Sequence, residues 1–131
     1  MIGLDTNVLV RYIMQDDAKQ SPLANRLIES LSVESPGFVS LVSVVELAWV
    51  LSAVYGLGRP QLIQAFEALL RTKELVIERA EIVWKALRTF QKAYTDFPDC
   101  LIASSASAAG CERTMTFGRG AANNSGMTLI K

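Results

Sequence analysis

The sequence predicts an α/β protein in which a mostly parallel central sheet of about five short strands is flanked by helices. Short apolar runs recur along the chain, and amphipathic helical patterns lie between them, which is typical of βαβ units. Half of the 131 residues are apolar and a fifth are charged, so we expect one ordered domain over residues 1–131. In such a fold, ligands bind beyond the carboxyl ends of the strands.

The strands are predicted where short apolar runs lie between turn residues. Residues 1–4 form the first run, which we expect to be a buried strand. Pro36-Gly37 marks a turn before the second run. The later predicted strands cover residues 38–42, 75–77, 114–117 and 127–130.

Helices are predicted where apolar side chains recur every three or four residues. Pro22 and Pro60 favour helix starts, and Gly110 favours a helix end. The helix over residues 43–55 is apolar on nearly every side, so we expect it to be buried from several directions, with Trp49 in the core. The predicted helices cover residues 8–13, 21–31, 43–55, 60–70, 82–90 and 96–110.

The charge balance argues against a protein that coats nucleic acid through a broad basic surface. Thirteen basic and thirteen acidic residues cancel, and the sequence pI is about 6.3. A bound nucleic acid would be held locally, by a metal ion and a few cations. The candidate cations are Arg11, Lys19, Arg113 and Arg119.

The cysteine content and the apolar stretches predict a reduced, cytoplasmic protein. Cys100 and Cys111 are too few for a disulfide framework or a zinc knuckle. We expect no secretory signal, because no basic and apolar leader opens the sequence. Residues 41–57 contain Glu46 and are expected to form a core helix, so we predict no membrane association.

Four acidic residues stand near the starts of predicted elements. Asp5 follows the first strand, Glu46 lies early in the helix after the second, and Asp96 and Asp99 open a later helix. The chain contains no histidine, so a hydrolytic metal site would be built from oxygen ligands alone. Oxygen ligands favour Mg²⁺ or Mn²⁺ over zinc.

Each acid also has a structural explanation. Ser43 and Glu46 have the spacing of a capping box, and Asp96 is placed as a helix N-cap. Asp5 could cap the following helix, although Thr6 or Asn7 could do so equally well. Asp5 also follows a strand expected to be buried, where a charge is costly without a positive neighbour. Taken together, carboxylates within ~5 Å would repel by ~3 kcal/mol per pair at an effective dielectric near 20. A divalent cation relieves that repulsion, so the joint pattern favours a metal site.

Thr6 and Asn7 have short polar side chains directly after Asp5. Such side chains can orient a carboxylate ligand or a metal-bound water. The alternative is that they cap the following helix, which is the better explanation for Thr6.

Four motifs, taken in order, resemble the PIN domain family and, more narrowly, the VapC-type toxins of bacterial and archaeal toxin–antitoxin pairs. They are Asp5-Thr-Asn-Val-Leu-Val-Arg-Tyr, Glu46-Leu-Ala-Trp-Val-Leu, Asp96-Phe-Pro-Asp99-Cys-Leu-Ile-Ala, and Thr116-Phe117 followed by Gly-Arg. The resemblance implies a PIN-like three-layer sandwich and an endoribonuclease that depends on Mg²⁺ or Mn²⁺. It also implies a homodimer and a cognate antitoxin that blocks the site with a tail.

The resemblance implies roles for the individual acids. Asp5 and Asp99 would hold the main ion, while Glu46 and Asp96 would bind it through water or support a second ion. In-line attack on RNA would then leave a 5′-phosphate and a 3′-hydroxyl. Residues expected around the substrate are Thr6, Asn7, Arg11, Thr116 and Arg119.

The sequence departs from the family pattern after the fourth predicted strand. The family has Thr-Phe-Asp there, whereas this chain has Thr116-Phe117-Gly118. The missing carboxylate is expected to weaken metal affinity, unless Asp96 replaces it or Thr116 and Asn123 supply neutral oxygens. The alternative is a catalytically weakened or inactive domain that binds RNA or an antitoxin.

A phosphoryl-transfer domain is a rival interpretation, because it also places an aspartate behind a strand. A haloacid-dehalogenase-like phosphatase needs a second aspartate two residues later, where this chain has Asn7. A receiver domain needs a lysine near its final strands, and Lys131 is poorly placed for that role. Both departures disfavour the rival.

Overall fold

The computed structural model describes all 131 residues, as seven α-helices and five β-strands joined by short loops. The chain divides into two compact units, residues 1–78 and residues 79–131. Both units combine helices with parallel strands, so the predicted α/β class is confirmed. The assignment of residues 1–131 to one domain stays a prediction.

The first unit contains a three-stranded parallel sheet and four helices. The strand order is β1-β2-β3, with β2 in the centre. The strands are β1 (Ile2–Gly3), β2 (Gly37–Val39) and β3 (Leu75–Ile77). The helices are α1 (Thr6–Met14), α2 (Gln20–Glu29), α3 (Leu41–Trp49) and α4 (Arg59–Arg71).

Helix α3 differs from the prediction in where it begins and in how it is covered. The second strand ends at Val39, and Ser40 is the N-cap of α3, because its Oγ accepts the N–H of Ser43 at 3.1 Å. Val42 is 77% exposed and Trp49 is 59% exposed. The expectation of a fully buried helix with Trp49 in its core was therefore wrong.

The reason is that α3 has only one buried face. Val44, Leu47 and Ala48 pack inward, and the side chains on the opposite face point to solvent. A π-helical segment, Val50–Val54, continues the helix before Gly56 ends it with a φ of 68°. None of the helices has the length and apolarity needed to cross a membrane.

The second unit contains three helices and a pair of parallel strands. Phe90 and Phe97 pack with their ring centroids 5.5 Å apart, which joins the first two of these helices. The helices are α5 (Ala80–Lys92), α6 (Phe97–Ala108) and α7 (Arg119–Asn124). The strands are β4 (Met115–Thr116) and β5 (Thr128–Leu129). Helix α7 was not predicted, because its sequence Arg-Gly-Ala-Ala-Asn-Asn has no apolar periodicity.

Gly37 is the first residue of the central strand β2, opposite Ile2 of β1 and Leu75 of β3. A Cβ at this position would lie 2.8 Å from Leu4 Cδ1, 2.9 Å from Leu31 Cδ1 and 3.1 Å from Leu75 Cδ2. Leu4 and Leu31 are buried, so their methyl groups have little room to withdraw. The sheet can therefore close around this residue only if it lacks a side chain.

Replacing Gly37 with alanine is expected to lower the free energy of unfolding by about 1–3 kcal/mol, because the new methyl group overpacks the leucines. Gly3→Ala is the matched control, since no atom lies within 4 Å of its Cβ position. We expect that variant to change stability by less than about 0.5 kcal/mol. Urea denaturation at equilibrium measures both values. Equal stability of the two variants would contradict this account of the sheet.

Candidate active site

Asp5 is the N-cap of α1, and its side chain is exposed. Its Oδ1 atom accepts the N–H of Thr6 at 2.9 Å. The preceding strand is not buried, since Ile2 is 46% exposed. The expected desolvation of Asp5 was therefore wrong. The carboxylate caps the helix and remains accessible to a ligand.

The two residues after Asp5 have different environments. Thr6 is buried in the first turn of α1 and is capped by Asp5, so the expectation that Thr6 itself caps the helix was wrong. Asn7 is exposed and lines a shallow groove between α1 and α2, beside Val8 and Leu23. Of these two residues, only Asn7 presents its side chain to solvent.

Glu46 lies in the interior of α3, more than one turn after the true N-cap Ser40. The capping box predicted for Ser43 and Glu46 is therefore wrong. The Glu46 side chain is exposed and has no hydrogen bond or ion pair. Glu46 therefore has no role in capping the helix, and its carboxylate is available to bind a ligand.

Asp96 and Asp99 lie together at the start of α6. Asp96 is the N-cap, and its Oδ1 accepts the N–H of Asp99 at 2.8 Å, so the capping explanation is correct for this residue. Partial burial and the neighbouring charge of Asp96 raise the pKa of Asp99 above its ordinary value. Ionisation of Asp99 therefore lowers the stability of the fold as the pH rises through this raised pKa.

Arg11 was predicted to contact phosphate, but its guanidinium is already bonded to several side chains of this chain. Its guanidinium forms an ion pair with Asp16 at 3.2 Å and hydrogen bonds to Tyr55 at 3.1 Å and Gln20 at 2.7 Å. The hydrogen bond from Tyr55, together with the Arg11 charge, lowers the pKa of Asp16. Arg11 therefore fixes α1 against neighbouring segments. Arg119, at the start of α7, is exposed.

Gly118 is the N-cap of α7, with φ −81° and ψ 120°. Its N–H donates to Thr116 Oγ1 at 2.9 Å, so that hydroxyl is already engaged. A Cβ at position 118 would lie 3.4 Å from Thr116 Oγ1 and 3.8 Å from Ala121 Cβ, which is ordinary contact. Aspartate is favoured at an N-cap. The backbone at position 118 therefore accommodates the aspartate of the family pattern.

The fold and these residues define a class of protein. The chain belongs to the PIN domain family, whose sequence pattern matches residues 2–126. It is 26% identical over 117 residues to a VapC ribonuclease of Aquifex aeolicus (strain VF5), and the match covers 88% of this chain and 86% of that protein. The family resemblance predicted from the four motifs is confirmed.

The acidic residues fit a divalent metal ion in their chemistry. Carboxylate oxygens are the ligands that Mg²⁺ and Mn²⁺ prefer. Burial and, after it, the charge of Asp96 raise the pKa of Asp99, and a bound cation would relieve the repulsion between the two carboxylates. No group of three or more His, Cys, Asp or Glu side chains is arranged to hold a metal ion. The chemical fit to a divalent metal ion therefore depends on the pair of carboxylates from Asp96 and Asp99.

Asp96→Asn is expected to lower the pKa of Asp99, because it removes the neighbouring charge and retains an N-cap side chain. Carbon-13 NMR of the Asp99 carboxyl group during a pH titration measures this change. Glu112→Gln is the control, since Glu112 does not contribute to the shift and its removal is expected to leave the pKa of Asp99 unchanged. An unchanged value in Asp96→Asn would show that burial alone causes the shift.

Proposed function

We propose that this chain is an endoribonuclease that depends on Mg²⁺ or Mn²⁺ and forms the toxin component of a toxin–antitoxin pair. The main support is membership of the PIN domain family over residues 2–126, together with the similarity to a VapC ribonuclease. The paired carboxylates of Asp96 and Asp99 add chemical support, because metal-assisted hydrolysis of a phosphodiester requires such ligands.

In this proposal all four candidate acids contribute to binding the metal. Asp5, Glu46, Asp96 and Asp99 are the proposed ligands, directly or through water. Bound Mg²⁺ or Mn²⁺ would supply a water of lowered pKa and neutralise charge on the scissile phosphate. The exposed carboxylates of Asp5 and Glu46 are free to bind, since neither forms an ion pair.

Five polar residues are proposed to position the RNA. Asn7 is exposed two residues after Asp5, and Arg119 is an exposed cation at the N-terminus of α7. Thr6, Arg11 and Thr116 are assigned supporting roles, because their side chains are buried or already hydrogen-bonded. Arg11 holds α1 in place, which in turn holds the N-cap Asp5.

We further propose that the protein acts in the cytoplasm as a homodimer and is inhibited by a cognate antitoxin. An exposed apolar stripe on α3, formed by Val42, Val45 and Trp49, supports the homodimer. No Lys or Arg lies within Leu41–Trp49, and the one charged side chain on this face is the exposed Glu46, between Val45 and Trp49. Two copies of the stripe would therefore meet around Glu46, which binding of a metal cation would neutralise. Exposed apolar and aromatic side chains of this kind are typical of the core of a homodimer interface.

A catalytically weakened domain that binds RNA or antitoxin is the second candidate function. One observation favours it, which is Gly118 in the position where the family pattern has an aspartate. With one carboxylate fewer, the site would attract a divalent cation less strongly.

RNA cleavage in the presence of Mg²⁺ or Mn²⁺ tests the two candidates directly. We expect cleavage to be lost on chelation and to fall by at least about 100-fold in Asp5→Asn, because a proposed metal ligand is removed. Gly118→Asp is expected to increase cleavage and metal affinity, since the backbone accepts the side chain. Glu34→Gln is the control, as it neutralises an exposed acid on a loop outside the proposed site. Cleavage that is insensitive to chelation, or unchanged in Asp5→Asn, would refute the nuclease proposal.

The homodimer is tested separately from catalysis. Sedimentation equilibrium is expected to show a dimer for the parent chain and a monomer for Trp49→Glu, because a charge would be buried in the stripe. Val33→Glu introduces the same charge at another exposed apolar residue, and we expect it to remain dimeric. A monomeric parent, or a dimer that persists in Trp49→Glu, would rule out this interface.

A further inference from the structure

A small cavity in the second unit has walls made mostly of residues with hydroxyl groups. It has a volume of about 180 Å³ and lies between α5, α6 and the turn that follows α7. Its lining residues are Lys85, Thr89, Ala103, Ser104, Ser107, Ser125 and Gly126. No acidic residue lines it, so this hydroxyl cavity is separate from the side chains proposed to bind the metal.

Ser104 presents an unpartnered hydroxyl group to the hydroxyl cavity. The residue is only 6% exposed, and its side chain forms no hydrogen bond. Every fully enclosed side-chain oxygen of the protein has a hydrogen-bond partner, so the Ser104 Oγ atom is open to the cavity that this residue lines. A hydroxyl group held away from solvent without a partner costs free energy, and a ligand in the cavity would supply the missing bond.

Lys85 gives the hydroxyl cavity a positive charge. Its Nζ atom lies 3.5 Å from Ser107 Oγ, and it has no ion-pair partner. The hydroxyl groups of Thr89 and Ser125 are already bonded within the protein. The ammonium group therefore keeps N–H donors for a ligand. Ammonium and hydroxyl donors around one small space are suited to an oxyanion such as phosphate.

The carbonyl groups in the last turn of α6, beside the cavity, are bonded within the chain. The N–H group of Ala109 donates to the carbonyl groups of Ser105 and Ala106, at 3.1 Å each. The N–H group of Gly110 donates to the carbonyl group of Ser107 at 3.0 Å. These bonds reduce the negative charge that the C-terminus of a helix presents. The end of α6 therefore opposes an anion in the cavity less than a bare helix end would.

The charge around the hydroxyl cavity is positive, although the whole chain is neutral. Residues 79–131 contain seven Lys or Arg and four Asp or Glu, which gives this unit a net charge of +3. Arg88 and Lys92 follow Lys85 by three and seven residues, so the three cations share one exposed face of α5. Neither Arg88 nor Lys92 forms an ion pair. A row of cations beside an oxyanion cavity complements a polymer of phosphates.

Helix α6 carries both Asp99 and part of the cavity wall. Ala103 lies one turn after Asp99 on the same face of α6, and it lines the cavity. Ser107 lies eight residues after Asp99, which is roughly 12 Å along the helix. A stacked strand covers that distance in roughly three or four nucleotides, at about 3.4 Å each. One RNA strand can therefore reach Asp99 and the cavity together.

We propose that the hydroxyl cavity binds a backbone phosphate of RNA. Lys85 would neutralise its charge, and the hydroxyl groups of Ser104 and Ser107 would donate to its oxygens. The identity of the ligand as RNA rests on the proposed function. The cavity adds a second point of attachment, a few nucleotides from the bond that is cut. A phosphate contact of this kind positions the strand without reading its sequence.

RNA binding without cleavage tests the proposal. The probe is a fluorescein-labelled single-stranded RNA of about 12 nucleotides, and its anisotropy is measured in EDTA at several salt concentrations. Lys85→Gln is expected to weaken binding about fivefold at 0.1 M salt and to reduce the slope of log K against log salt by about 0.7, because one phosphate contact is lost.

Lys73→Gln is the matched control, since it removes the same charge from an exposed residue of the first unit. We expect it to retain the affinity and the slope of the parent chain. The proposal is overturned if the parent does not bind the RNA, if the slope is unchanged in Lys85→Gln, or if both variants lose affinity equally.

Ser104→Ala separates a role in binding from a role in folding. It is expected to weaken RNA binding about fivefold, because a hydrogen bond to a charged phosphate is lost. Urea denaturation is expected to show no loss of stability, since the hydroxyl group has no partner within the protein. Ser105→Ala, at a half-buried serine outside the cavity, is expected to change neither property. Lower stability with unchanged RNA binding in Ser104→Ala would overturn the proposal.

Inorganic phosphate distinguishes an RNA site from a site for free phosphate. Its binding is followed by phosphorus-31 NMR in the parent chain and in Lys85→Gln. If Lys85→Gln abolishes phosphate binding but leaves RNA binding unchanged, the cavity serves free phosphate and the proposal is overturned. Because EDTA removes divalent ions, the RNA measurement does not depend on cleavage. RNA that binds through Lys85 but is never cut would refute the nuclease proposal and support this one.

Discussion

The closure of the three-stranded sheet around Gly37 is the constraint on which the first unit depends. Leucine methyl groups from β3 and from the segments beside β1 and β2 meet above this glycine at distances that leave no room for a side chain. The parallel register that results sets Leu4 and Val39 at equivalent edges of the sheet. Asp5 and helix α3 follow directly from those positions, so the placement of two candidate acids depends on tight packing of apolar side chains.

Capping and ligand binding are compatible functions for the acids of this chain. Asp5 and Asp96 each use one oxygen to accept a backbone N–H at the start of a helix, and that contact holds the carboxylate in a fixed orientation. Glu46 has no such contact. The pKa of Asp99 is raised, so the charged form of its carboxyl group is disfavoured at this position. An oriented carboxylate loses less entropy when it binds a ligand, which makes an N-cap a suitable support for a metal site.

The exposed surfaces divide into regions of different chemistry. The apolar stripe on α3 is uncharged apart from Glu46, whereas a cleft of about 670 Å³ between α1, α2 and α4 has mainly apolar walls and contains Glu29. A chain with no net charge can therefore distinguish its partners by local patterns of charge. The stripe surrounds Glu46, a proposed metal ligand, so a change in the stripe also affects that part of the proposed metal site.

The sequence by itself determined the α/β class, the family, the third strand at Leu75–Ile77 and the cap at Asp96, because these depend on local periodicity and on the order of motifs. The true start of α3 and the exposure of Trp49 were decided only by the tertiary structure. The reason is physical: an apolar helix carries no signal for which of its faces the rest of the chain will cover. Likewise, the pKa and the exposure of a carboxylate depend on the residues that pack around it in the folded chain. Positions in the sequence do not show which residues those are.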